Sequence, residues 1–222
     1  MIVVRKMYSN VFYPLEKLYS IGLRQDDFIT DDVKKSLRLI MGRYLELGRF
    51  YHNFDHVLAC MDEYIDYLGN SSELLNSDII LAILYHDIEY DTHSNLNEEL
   101  SFVQLLNHNK EFNFGLEQSR LDNIHDLILS TKDHTKNPNV LTDVDLSILG
   151  QDPETYNKYA EAIRLEYCWV PEKEYTYGRI EVLSKILASP IYCTSYFKDK
   201  YQEQAIKNIS NEIAGLKLKT TN

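Results

Sequence analysis

Three short stretches of the chain carry residue types that can bind a metal ion or move a proton. Arg49-Phe50-Tyr51-His52-Asn53-Phe54-Asp55-His56 holds two histidines four residues apart. Tyr85-His86-Asp87-Ile88-Glu89-Tyr90-Asp91 holds a histidine–aspartate pair at the end of an apolar run, and Asp143-Val144-Asp145-Leu146-Ser147-Ile148-Leu149-Gly150 holds two acids leading into an apolar turn. On one helix, His52 and His56 would share a face. Zinc-protease helices use that spacing, but they need a glutamate directly after the first histidine to activate water. Asn53 stands in that place, so metal binding survives as a reading and proteolysis does not.

Singly, each stretch has a plain structural explanation. His86 and Asp87 can point from the end of a buried helix into water. Asp143 and Asp145 can serve as helix-capping acids that complement the macrodipole. Together they supply two imidazoles and two carboxylates, enough to neutralise a divalent cation and leave positions open for water and substrate oxygens. Mixed nitrogen and oxygen ligation suits Mn, Fe, Co, Ni or Zn better than Ca. All seven histidines fall between His52 and His134, and histidine is both the commonest metal ligand and the usual acid–base residue near neutral pH.

The order H…HD…D resembles the HD-domain superfamily of metal-dependent phosphohydrolases. The surrounding words are similar to a bacterial branch of it: RxYHNxxH from Arg49 to His56, FHDxxYD from Tyr85 to Asp91, NEExS from Asn97 to Ser101, and DxDLxILG from Asp143 to Gly150. The segment Glu203 to Asn208 is similar as well, and the likeness runs from about residue 10 to 216. This resemblance implies His56, His86, Asp87 and Asp145 as ligands of a divalent ion (Mn, Co, Ni, Fe, Zn or Mg). It makes Asp143 a neighbouring or capping acid. Metal-bound water would attack phosphorus, with Asp87 helping to orient it. Glu98, Glu99, His52 and Lys132 are the candidates for protonating or neutralising the leaving oxygen. Asp91 resembles an acid that follows the HD pair in some nucleotide hydrolases, one turn on if the helix continues. His52 and His134 are candidates for a second ion or for the substrate, and Tyr51, Tyr85 and Tyr90 for shaping the pocket. His93, His108 and His125 are expected in solvent-facing or satisfied polar roles. The implied substrate is a small phosphorylated molecule, with a nucleotide as one option. An HD-fold di-iron oxygenase and a non-catalytic metal- or nucleotide-binding module are the alternatives.

The elements that must position these residues read almost entirely as helix. Short apolar periodicity marks Leu15 to Leu23. Thr30 caps a helix from Val33 to Leu47 with Gly48 as its stop. A helix is expected from His52 to Leu68 before Gly69-Asn70, and Asn76 caps the apolar run IILAILYHDIEY, too continuous for a surface helix. Further helices are expected over Asn97 to Asn107, Leu116 to Asp133, and from Asp152-Pro153 to about Trp169. Another starts at Pro171 and stops before Pro190, and the last runs from Phe197 to Leu218. The expectation is an all-α chain with a single HD-type domain over residues 1–222. Its core motifs span 49–150 and its C-terminal helices 153–218.

Composition narrows the partners. A formal charge of −11 argues against a general nucleic-acid or anionic-membrane surface, which needs a basic stripe. No apolar run approaches the roughly 18 residues that span a bilayer. The opening MIVVRKMYSNVFY does not read as a signal peptide. Three widely spaced cysteines without a CxxC pair fit unpaired thiols in a reducing cytoplasm.

Overall fold

A computed structural model describes residues 15–23 and 30–220, and the N-terminal stretch read above as lacking a leader, Met1 to Tyr13, lies outside them. Among the described residues the regular structure is ten α-helices and two short 3-10 segments, with no strand, so the all-α expectation holds. No helix among them is long and apolar enough to cross a membrane. The chain divides into two compact units, one running to Glu46 and including Leu74–Leu129, the other comprising Leu47–Glu73 and Ser130 onward.

The first unit contains α1 (residues 15–22), α2 (Asp31–Tyr44), α4 (Ser77–Tyr85), α5 (Asn97–Glu111) and most of α6 (Gln118–Ser130). Its centre is α4, in which every residue from Asp78 to Tyr85 is buried. The side chain of Asn76 starts that helix by accepting the Asp78 N–H. A capped, nearly all-apolar nine-residue helix can be stable only inside a core. Asp78 is the exception to its apolar character and is matched by Arg120, whose Nε donates to Asp78 Oδ1 at 2.7 Å. Arg120 also donates to the Gly22 carbonyl at 2.7 Å, and Asn123 to Asp78 Oδ2 at 2.9 Å. Four partners satisfy one another, which is what lets a carboxylate stay buried. Deeper in, Tyr85 Oη lies 3.1 Å from Tyr19 Oη and 2.9 Å from His108 Nδ1. His108 is therefore a core histidine with a partner, and burial holds its pKa below the usual value.

The second unit contains α3 (Phe54–Asn70), α7 (Val140–Asp145), α8 (Pro153–Glu166), α9 (Glu172–Leu187), α10 (Ser195–Thr220) and the 3-10 segments Thr131–Asp133 and Leu146–Gly150. Gly150 is where α10 comes closest. A Cβ there would stand 2.4 Å from Tyr201 Cβ and 2.8 Å from the Tyr201 carbonyl oxygen. Two turns further on, Asn208 Nδ2 donates to the carbonyls of Leu149 and Gln151 at 2.9 and 2.8 Å, which completes the end of the 3-10 turn. Asp143 is fully buried. It accepts from the backbone N–H groups of Cys193 and Thr194 and from the Thr194 hydroxyl, at 2.7 to 2.8 Å. This carboxylate thus ties α7 to the lead-in of α10 and is structural.

Two helix boundaries correct the sequence reading. Helix α2 ends at Tyr44 and not Leu47, with Leu47 fully exposed and Gly48 at a φ of +95° beyond it. Helix α3 begins at Phe54 and not His52. Asn53 is its N-cap, accepting from the N–H groups of Asp55 and His56. The residue that denied the stretch a protease glutamate is thus the one that starts the helix, and it leaves His52 outside.

Candidate metal centre

His56 lies in the first turn of α3, buried, and its Nε2 stands 3.1 Å from Asp145 Oδ1 at the end of α7. Two ligand atoms each about 2.1 Å from one ion stand about 3.0 to 3.4 Å apart, for angles between a right angle and the tetrahedral one. The pair therefore has the spacing of co-ligands. Asp145 Oδ2 is engaged differently: His134 Nε2 reaches it at 2.7 Å, the length of a charge-assisted hydrogen bond donated by the ring. Asp145 thus offers one oxygen beside His56 while His134 holds the other. Cys60, one turn along α3 from His56, adds its Sγ. The ligand atoms of His56, Cys60 and Asp145 all lie within 4.8 Å of one another. A thiol in this set was not foreseen, although Cys60 follows His56 at the i+4 spacing that marks a shared helix face.

In the other unit His86 is almost completely buried, just past the end of α4. Its Nδ1–H donates to the Ile83 carbonyl at 2.9 Å, and its Nε2 stands 3.1 Å from Asp87 Oδ2. With the Nδ1 proton committed to a carbonyl, a neutral ring turns a lone pair toward a carboxylate. In that neutral form the Nε2 and the carboxylate are placed as two ligands of one cation, whereas a protonated ring pairs with Asp87 directly. A backbone carbonyl on the far nitrogen is also how metal-ligating histidines are usually oriented. The Asp87 backbone N–H donates to Tyr44 Oη at 3.3 Å, and that hydroxyl donates to the Leu84 carbonyl at 3.2 Å. The backbone that presents the pair is therefore braced by α2.

The remaining candidates separate clearly. His52 is held by Glu166 of α8, which accepts the His52 Nδ1–H at 2.7 Å together with the backbone N–H groups of Tyr51 and His52 at 2.7 and 2.9 Å. The Glu166 side chain is fully buried. Burial pushes its pKa up, but the hydrogen bond and charge attraction from His52 and the two N–H groups more than offset that, leaving it below the ordinary glutamate value. Nothing in the sequence around Glu166 marks it, and only its partners reveal it. Lys132 is exposed on the Thr131–Asp133 turn beside His134. Its neighbour Asp133 is held below the usual carboxylate range by Thr135 and by Lys185.

Glu98 and Glu99 lie in the first turn of α5, as acids that favour a helix start. Asp91 is not one turn on along the helix of the HD pair, because that helix ends at Tyr85. It is exposed and shapes the following loop, accepting from the His93 N–H at 2.8 Å while its own N–H donates to Asn97 Oδ1 at 3.1 Å. Tyr51 packs against His56 and Tyr159, with ring centroids 4.8 and 4.6 Å away. Tyr85 is core, and Tyr90 is half-buried.

A cleft of about 520 Å³ in the second unit opens onto this group. His52, Lys132, His134 and Asp145 line its polar part, and α8, α9 and the Leu146–Gly150 segment supply most of its remaining walls. Comparison with models of protein families, with characterised proteins and with solved structures gave no match.

Proposed function

We propose that this chain is a metal-dependent phosphohydrolase of the HD type, acting in the cytoplasm on a phosphate ester or anhydride of a small molecule. His56, His86, Asp87 and Asp145 are the ligands in this reading. Their assignment to one divalent ion rests on the order of their motifs. The observation that carries the reading is the arrangement at His86, whose proton is spent on a carbonyl while its Nε2 faces a carboxylate. In the neutral tautomer that nitrogen and the carboxylate are placed to share a cation. The ligand spacing of His56 and Asp145 supports it from the other unit.

When bound, such an ion supplies Lewis acidity toward a phosphoryl oxygen. The chain's own residues account for the rest. Lys132 supplies positive charge at the mouth of the cleft, against the net negative charge of the protein. Glu166 fixes the His52 ring with its Nδ1–H inward, so proton exchange with a leaving oxygen falls to Nε2. His134 orients Asp145 and draws off part of its charge.

The experiment is phosphate release from a panel of phosphomonoesters, diesters and nucleotides, using protein stripped of metal and resupplied with Mn. Hydrolysis is expected with Mn and not without it, and Asp87→Ala abolishes it. Equal release by the stripped protein or by the variant would refute the mechanism.

A further inference from the structure

The cleft beside Asp145 has two chemically distinct parts. His52, Thr131, Lys132, His134 and Asp145 form the polar one. The other is walled by Ile163, Tyr159 and Tyr167 of α8 and its end, by Val170, and by Tyr175, Val182 and Ile186 of α9, with Leu146, Ile148 and Leu149 continuing the surface. Two charged side chains line this second part. Arg179 is committed, its Nε and Nη2 donating to Glu212 at 2.8 and 3.2 Å and its Nη1 to Tyr159 Oη at 3.3 Å. The other is Glu174, which repels a second anionic group. A polar part that holds Lys132 and two histidines, together with an apolar, tyrosine-rich part, fits a ligand with one phosphate and an aromatic organic group.

Gly178 sharpens this. It lies inside α9, where glycine costs helix stability relative to alanine. Its φ is ordinary, and a Cβ built on it meets no atom within 4 Å. Neither backbone conformation nor packing therefore calls for glycine. Gly42, Gly69 and Gly215 are equally uncrowded, but among the described helical glycines only Gly178 lines the cleft. What its missing side chain leaves is room in the apolar part.

We propose that this apolar part binds the organic group of the substrate, and that the substrate is an aryl phosphomonoester. A nucleotide, whose base edge would find few partners here, is not the match. The aryl site stands on the cleft alone, and the word substrate rests on the phosphohydrolase reading above.

The test compares 1-naphthylmethylphosphonate with methylphosphonate, two non-hydrolysable probes, in calorimetric titrations of the Mn-loaded full chain. Binding of the aryl probe is expected to be at least about tenfold tighter, from burial of its ring system. Gly178→Leu, checked for unchanged helicity, places a side chain in that space and collapses the ratio toward unity. Equal affinity of the two probes for the wild type, or an undiminished ratio in folded Gly178→Leu, overturns the proposal. So does tighter binding of octylphosphonate or of adenosine 5′-monophosphate than of the naphthyl probe. If neither phosphonate binds but 1-naphthol does, and Gly178→Leu abolishes it, the aryl site stands and the phosphohydrolase reading falls.

Discussion

His86 Nε2 and Asp87 Oδ2 face each other at 3.1 Å while the far nitrogen of the ring donates to the Ile83 carbonyl. With its proton on Nδ1, the neutral ring turns an Nε2 lone pair toward that carboxylate, at the spacing of two ligands of one ion. The same logic distinguishes the two histidines on Asp145, since His56 stands at co-ligand spacing from one oxygen and His134 donates to the other.

That distinction gives graded expectations for metal affinity. His56→Ala removes a ligand of the proposed ion and should abolish stoichiometric binding of Mn or Zn. His134→Ala removes only the residue that orients Asp145, and should weaken binding by about 10- to 100-fold. Titration calorimetry on both variants checks the order, and equal losses would show His134 to be a ligand.

Glu166 should matter to stability as well as to His52. Its carboxyl is held below the ordinary value of 4.5. The stabilisation is therefore fully present above that value and is lost as pH falls through the folded-state pKa. Glu166→Gln should cost about 1–3 kcal/mol at neutral pH. The gap between variant and wild type should narrow in acid. Urea melts at several pH values read this directly, and a pH-independent gap would contradict the assignment.

Two glycines should respond in opposite directions. Gly150→Ala drives a methyl into Tyr201, including its backbone oxygen, and should destabilise by about 1–3 kcal/mol or more. Gly178→Ala meets nothing and should stabilise α9 by up to about 1 kcal/mol. Thermal melts of the two variants separate the cases.

The thiols should react in order of exposure and ionisation. Cys168 is exposed, Cys60 is buried, and Cys193 has its pKa pushed up to about 12 by burial and by the Asp143 carboxylate. A thiol reagent near neutral pH should therefore label Cys168 first in the native protein. Mass spectrometry of the labelled peptides gives the answer, and early labelling of Cys193 would contradict its burial against Asp143.

Much of the helical plan was legible because it is written locally. Thr30, Asn76 and Asp152 cap the helices expected of them, and the unbroken apolar run after Asn76 is the buried α4. At α3 the local signal points two ways: Asn53 excludes a protease glutamate, and its amide is also an N-cap. Only the second of these puts His52 off the helix face of His56. The partners that give the site residues their roles were not legible. Glu166 lies 114 residues from His52, and Thr194 lies 51 from Asp143. Such pairings depend on how helices pack, which no local pattern records.

The most direct test of the central claim is the metal content of purified protein, stripped by chelation, reloaded with Mn or Zn, and freed of excess ion. The account predicts stoichiometric metal in the wild type and in Glu98→Gln. It predicts none retained in His86→Ala or Asp145→Ala that still fold, as judged by circular dichroism. Undiminished metal in folded His86→Ala and Asp145→Ala would contradict it.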